Sequence, residues 1–338
     1  MTKVSVVCCF YNRPQAVRPT LYGLKNQTLE DFEAIIADDG SSDETAAVLR
    51  EVLAEMNDPR FRLVTREKNI GLTRGLIEGV RQAKSPYVAI HDAGDVSLPR
   101  RLEAQAGLLD AEPEVVVVGS HYVNYIEAMN LYRVRTPDAG SKSAEDLIDD
   151  TTFTHGEVMF RRAAYEKAGG YRAEFRMSQD NDLWLRMRHL GRFGTVPEPL
   201  YIRAVDFGGI SFNPATVARQ SAYYMLGKKI ARGTVDEAEV LSRLAAGEAI
   251  TDVLPIDDPD VQKQLSKVAI RSALFGSPEA GRQIARDYLV PSPRNRMIRT
   301  GLGLLAAPWG GPALAQLRKA MGVKSGRPEG WPKASVAP

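Results

Sequence analysis

The chain has 338 residues, 44% hydrophobic and 25% charged, enough to bury the core of one large domain and an appendage. That balance excludes a disordered or fibrous chain, and two adjacent cysteines, Cys8 and Cys9, exclude a disulfide framework and match no metal spacing. The net charge of +2 is uneven: residues 281–338 hold ten basic and two acidic residues, which leaves −6 for residues 1–280.

The opening stretch MTKVSVVCCFYNRP has one lysine and a short apolar run that ends in turn residues. This is not a signal peptide, and the reading is of a cytoplasmic protein. Residues 4–10 (VSVVCCF) read as a buried strand, followed by YNRP, a turn opening a helix that runs to about residue 27. Residues 32–37 (FEAIIA) are a second strand ending in DDGSSDET, where Ser42 or Asp43 caps the next helix. A third strand covers 61–65, helical spacing covers 71–83, and a fourth strand at 87–91 delivers the loop HDAGDVSLP. Residues 98–113 are helical and 114–120 form a fifth strand. This alternation predicts an α/β fold with a mainly parallel sheet and helices on both faces.

From 120 to 212 the pattern is mixed, with strand-like HYVNYIEA and LYRVR, then THGEVMFRR, then a helix around SQDNDLWLRMRHLG. Residues 213–290 fit a helical appendage, and 291–338 form a basic tail rich in Gly and Pro. Ligands of open α/β sheets bind beyond the carboxyl ends of the strands. Three ends carry polar loops here, at Tyr11–Asn12, Asp38–Asp39 and Asp92–Asp95, which together predict a binding cleft.

SVVCCFYNRP, IIADDGSSDET, NIGLTRGL, YVAIHDAGDVSLPRRLEAQ, THGEVMFRRAAYEKAGGY and SQDNDLWLRM occur in the order seen in family 2 glycosyltransferases, and residues 3–212 resemble that family. The resemblance implies the GT-A fold, with a nucleotide-binding half at 1–119 and an acceptor half at 120–212. It implies transfer of a sugar from a nucleotide-sugar, with UDP favoured by family frequency, to a hydroxyl acceptor with inversion at the anomeric carbon. Asp180 then fills the role of base that takes the acceptor proton. Tyr11 lines the nucleobase pocket, and Asp38 and Asp39 accept hydrogen bonds from the base or the ribose. The bland alternative for the two aspartates is a charge favouring the helix dipole. Arg74 either contacts the diphosphate or is an exposed helix arginine. His155 either shapes the donor site or is a structural histidine, and Trp184 either stacks on the acceptor sugar or sits in the core. Asp182, about 200° from Asp180 on a helix, caps or supports.

Three positions depart from the family pattern: Gly94 replaces a usual metal-binding aspartate, Ile77 an asparagine, and Asp206 a histidine. Mn²⁺ or Mg²⁺ prefers oxygen ligands. The expected site is therefore one of altered geometry, with Asp92 and Asp95 as ligands and Asp206 as the third. The departures also motivate a second reading, a catalytically silent relative that binds nucleotide-sugar or a partner glycosyltransferase. Retention of Asp38, Asp39 and Asp180 argues against it.

Residues 300–317 carry no charge and are flanked by Arg294, Arg296, Arg299, Arg318 and Lys319. Interrupted by Pro308, Gly310, Gly311 and Pro312, the stretch suits an interfacial helix over 294–319, with Trp309 at headgroup depth, better than a membrane span. Packing on the protein's own core is the alternative. Membrane contact at the inner face of the plasma membrane fits a lipid-linked saccharide acceptor in surface polysaccharide assembly. The helical appendage offers a surface for a homodimer, and no base-reading module supports nucleic-acid binding.

Overall fold

The computed structural model describes residues 2–150, 153–205, 213–307 and 309–332. The chain divides into two compact units, one of residues 1–204 with 326–338 and one of 205–325.

In the first unit, β1 (Val4–Phe10), β2 (Phe32–Asp38), β3 (Phe61–Thr65) and β4 (Tyr87–Asp92) are parallel, in the order β3-β2-β1-β4. The crossover helices α1 (Val17–Lys25), α2 (Thr45–Met56) and α3 (Leu72–Gln82) cover both faces, as right-handed βαβ connections require. Alternation along β1 shows the two faces. Val6 and Cys8 pack against Leu21, Leu24, Leu49 and Val52, whereas Val7 packs against Leu76 and Val80. Each such fully buried side chain contributes about 1.5–3 kcal/mol. The register pairs Phe10 with Asp38 and Cys9 with Asp92, so the three polar strand ends lie in one row.

After a two-residue strand, β5 (Val96–Ser97), and helix α4 (Arg101–Ala111), the sheet becomes mixed. β6 (Val115–Ile126) is a single 12-residue strand, where the sequence shows two runs broken at Gly119–Ser120. The turn-like pair marks register shifts around Ser120 and His121, so a bulge rather than a strand end sits there. β7 (Leu131–Arg135) runs antiparallel to β6. A short helix, α5 (Asp146–Asp149), leads to the 3-10 turn His155–Glu157 and to β8 (Met159–Arg161), which lies antiparallel to both β4 and β6. α6 (Arg162–Lys167) and α7 (Gln179–Met187) follow. The next strand, β9 (Arg192–Ala204), runs parallel to β6 and antiparallel to β5. The sequence does not predict it as a strand, because Pro197 and Pro199 interrupt its pattern and the register shifts accommodate them.

Residues 326–332 also belong to this unit, although the sequence assigns them to a basic tail. The Gly326 amide donates to the Asn130 carbonyl at 2.8 Å, and the Trp331 ring meets Tyr125 edge-on at 5.0 Å.

The second unit is helical: α8 (Pro214–Ala231), α9 (Glu237–Ala245), α10 (Ile250–Val253), α11 (Pro259–Phe275), α12 (Pro278–Tyr288), α13 (Pro293–Ala306) and α14 (Gly311–Ala320). Its starts are written locally. Asn213, Asp258, Ser277 and Ser292 each cap a helix through the side chain and precede a proline, which needs no N–H at that position. The uncharged stretch 300–317 is split between α13 and α14, and among the described residues no helix is long and apolar enough to cross a membrane. Two of its flanking arginines turn inward rather than toward a surface. Arg299 donates to the carbonyls of Ala285 and Leu289, and Arg318 to those of Leu274 and Gly276.

Candidate active site

The strand ends of the parallel half are laced together by local side chains. Asn12 accepts from the Ser42 amide at 2.9 Å while its own amide donates to Ser41 Oγ at 3.0 Å, which ties the β1 end to the β2 end. Tyr11, beside it, is exposed. Asp39 is buried, and its two oxygens accept from the amides of Ile70 and Gly71 at 3.2 and 3.0 Å, with Arg66 Nη1 at 3.5 Å. It therefore anchors the loop that starts α3, on whose exposed first turn Arg74 stands. Asp38 is equally buried, yet its Oδ1 has no partner among the described residues. A buried acceptor left open costs about 1–3 kcal/mol, and a ligand donor would relieve it.

At the end of β4 a second constellation assembles from distant segments. Asp92 Oδ1 lies 3.2 Å from Nδ1 of His155, whose Nε2 lies 3.0 Å from the Tyr171 hydroxyl. Burial opposes charge on His155, but the Asp92 carboxylate, which also hydrogen bonds it, and the charge of Asp180 raise its pKa. Burial would raise Asp92, and the pull of His155, with Arg203 and His91, brings it below the ordinary carboxylate value. Each thus favours the charged form of the other. Asp180, half-buried on the first turn of α7, is close enough for its charge to act on His155 and Tyr171.

Asp95 has the opposite character. It is buried, and its Oδ1 accepts from the Ala204 amide at 2.9 Å. Burial first, then the Asp92 charge, pushes its pKa to about 7. Gly94 sits between the two acids at φ +103°, a conformation side-chain-bearing residues rarely adopt, although there is room for a Cβ, whose nearest neighbour would be Ala16 at 3.6 Å. The missing carboxylate at 94 is thus set by backbone geometry. Gly156 answers a different demand, since a Cβ there would stand 2.1 Å from the Tyr201 hydroxyl.

Under the loop lies Arg101, wholly buried, which donates to the carbonyls of Ile90 and Val158 at 2.7 and 3.2 Å and to Ser97 Oγ at 2.9 Å. Its guanidinium stacks 4.8 Å from the centre of the Tyr201 ring. Burial and Arg101 together drop the His91 pKa to about 3, so that imidazole is neutral. Glu157, also buried, accepts from the Thr154 amide and from the Ser120 amide, each at 3.2 Å, and burial raises its pKa to about 8.

Two expectations need correction or confinement. Trp184 is 5% exposed and packs 6.0 Å from Phe160 within the core, so it has no face to offer a sugar. Asp206 lies outside the described residues. Asp182 supports, as its spacing suggests: buried, it pairs with Arg186 at 2.7 Å and Arg172 at 3.4 Å. For a divalent ion, the described residues supply two carboxylates, Asp92 and Asp95, and no group of three metal-binding side chains. Such a pair suits an ion that completes its shell from phosphate oxygens and water, as Mg²⁺-type ions commonly do.

Residues 5–169 match the family model described as glycosyl transferase family 2. The chain is 32% identical over 207 residues to the putative glycosyltransferase EpsE of Bacillus subtilis, across 59% of this chain and 72% of that one. The chain belongs to the family 2 glycosyltransferases. It is also 30% identical over 189 residues to the amylovoran biosynthesis glycosyltransferase AmsE of Erwinia amylovora, across 55% and 70% of the two chains. Among solved structures, S. aureus TarS 1-349 in complex with UDP-GlcNAc aligns with a TM-score of 0.57 at 15% identity, covering 89% of this chain and 91% of that one. The mannosyltransferase PcManGT from Pyrobaculum calidifontis, in complex with GDP-Man and Mn²⁺, aligns at 0.53 and 17% identity, covering 94% and 87%. The architecture is GT-A.

In this family 2 glycosyltransferase, Arg101, Glu157, Tyr201 and Arg203 escape the sequence reading. Nothing in LPRRLE tells Arg101, buried, from Arg100, exposed. Tyr201 reaches the amide of Asp92 across 109 residues, a contact no local pattern announces.

Proposed function

We propose that the protein transfers a sugar from a UDP-sugar to a saccharide hydroxyl with inversion, at the cytoplasmic face of a membrane, in assembly of a surface polysaccharide. One observation carries the reading: the charge of Asp180 acts on His155, which pairs with Asp92 in the row of strand ends that also holds Asp38. On this reading Asp38 takes a base or ribose donor through its open oxygen, Tyr11 lies against the base, and Asp39 holds the 70–71 loop beside the nucleotide. Asp180 accepts the proton of the acceptor hydroxyl as that oxygen bonds to the anomeric carbon from the side opposite the diphosphate. The carbon–oxygen bond to the diphosphate breaks in the same displacement, so configuration inverts. His155, its pKa raised by its acidic neighbours against the effect of burial, stands beside Asp92. A Mn²⁺ or Mg²⁺ ion at Asp92 and Asp95, with Asp206 as third ligand, would neutralise the leaving diphosphate.

The printed name of AmsE, an amylovoran biosynthesis glycosyltransferase, supports the polysaccharide setting. Membrane contact finds support on α13 and α14, where Met297, Leu304 and Leu317 are exposed beside Arg294, Arg296 and Lys319, with Trp309 exposed between the helices. Co-sedimentation with anionic vesicles reads it, and loss of binding in Trp309→Ser is the expected result.

The deciding experiment is calorimetric titration with UDP and GDP, with Mn²⁺ or with EDTA. Metal-dependent UDP binding is expected. Asp180→Asn should retain UDP binding and lower sugar transfer by roughly 10²- to 10⁴-fold. Absence of nucleotide binding would overturn the assignment.

A further inference from the structure

The face of β6, β7 and β9 beside the acidic loop carries an unusual charge. Cross-strand pairing sets Asn124 opposite Arg133 on β7 and opposite Arg203 on β9. In the next row Tyr122 stands between Arg135 and Tyr201. Paired residues share a face, so Arg133, Arg135 and Arg203 lie on the side from which Tyr201 reaches Asp92. The alternate residues Val123, Tyr125, Tyr132 and Ile202 pack on the other side with Val96 and Trp331. Strand spacing puts the Cα atoms of Arg133 and Arg203 about 10 Å apart, the width of a sugar ring and its substituents.

Arg203 is close enough to the acidic loop for its charge to act on Asp92 and Asp95. Neither it nor Arg135 has a carboxylate at ion-pair distance among the described residues, while the charge of Arg135 acts on Tyr122. Arg133 is half-buried, and burial together with the like charge of Arg135 presses against its charged form. Asn124 Oδ1, between Arg133 and Arg203, is buried without a partner. Arg135 and Arg203 thus bring two like charges without a carboxylate partner to one face, and a buried acceptor left open carries a cost of its own. An anion with a neighbouring hydroxyl answers both.

We propose that this face is a charge-reading acceptor subsite, in which Arg133, Arg135 and Arg203 receive an oxyanion of the acceptor glycan and Asn124 Oδ1 takes an adjacent hydroxyl. The acceptor class is then an acidic saccharide, carrying a uronate carboxylate or a phosphate ester. Planar guanidinium groups suit either through paired N–H donors. The donor is the poorer fit, because β6 and β7 lie beyond β4 and β8 from the β1–β2 ends where the nucleotide is assigned. The inference rests on the proposed glycosyltransfer and specifies its acceptor.

The test uses the full chain saturated with UDP, titrated by NMR with matched probes: methyl glucuronide against methyl glucoside, and glucose 6-phosphate against glucose. The expected result is tighter binding of a charged probe than of its neutral twin, by on the order of tenfold, which weakens as salt rises. The pair showing the preference identifies the oxyanion. In Arg135→Gln, a substitution at an exposed position that leaves packing alone, the preference should shrink several-fold, and Arg135→Lys should restore part of it. Equal binding of both members of each pair would overturn the subsite. A loss of UDP affinity in Arg135→Gln as large as the loss of probe affinity would overturn it too, by making these arginines a donor clamp. If the unsubstituted protein bound no nucleotide, the glycosyltransferase reading itself would fall, an outcome separate from a lost preference.

Discussion

The two halves of the first unit's sheet handle charge in opposite ways. In the parallel half, Asp39 stands at a strand end and is satisfied by the next loop, through the amides of Ile70 and Gly71, about 30 residues on. In the mixed half ionisable groups lie in the interior and are held by remote segments. Arg101 reaches Val158 across 57 residues, and Asp95 takes the Ala204 amide across 109. A parallel crossover returns the chain to the same edge after one helix, so its ends can be stitched locally. Mixed strands come from distant parts of the sequence, and buried polar groups are the means by which they are fixed to one another.

The largest break in this comparison should come from Arg101→Met. The substitution removes donors from two carbonyls and a cation from beside Glu157, Asp92 and Asp95. Truncating one member of a buried polar network costs about 3–5 kcal/mol, so chemical denaturation should show a loss of that order or no folded protein. Asp43→Ala, at a strand end where the carboxylate serves only the Thr45 amide and hydroxyl, should cost about 1 kcal/mol in the same assay.

A second expectation concerns pH. Asp95 and Glu157 hold their protons more tightly in the folded state, with pKa values of about 7 and about 8, so each withdraws stability as pH rises from the ordinary carboxylate range to those values. His155, raised in the fold, contributes stability below its unfolded pKa that is lost as pH climbs through the folded one. Asp92, lowered, contributes above its unfolded pKa and loses that contribution only in acid. Thermal unfolding midpoints should therefore decline between about pH 5 and pH 8, and Glu157→Gln should flatten the slope. A further expectation concerns Trp184→Phe. With its ring in the core, the change should cost about 1–2 kcal/mol of stability and leave the acceptor KM unaltered. A raised KM would return Trp184 to the acceptor site.

The sequence by itself determined the parallel half. Runs of apolar residues at 4–10, 32–38, 61–65 and 87–92, punctuated by Asn, Asp, Gly and Ser, specify strands and loops within a few residues of each other. The acids at 38, 39, 92, 95 and 180 were legible for the same reason, since motif and position coincide. The helical unit was legible in part: residues 213–290 read as a helical appendage, whereas α13 and α14 fall in the stretch read as a basic tail. Only the tertiary structure decided β9, the inward turn of Arg101, the burial of Trp184 and the contrast between Asp92 and Asp95. Those two acids stand three residues apart in one loop. One is charged against His155 and the other has its pKa pushed up beneath Tyr201 and Ala204. Asp92 owes its lowered pKa to a partner 63 residues away, and Asp95 owes its raised one to burial made by the whole fold, with the Asp92 charge beside it; no local window contains that partner or that burial.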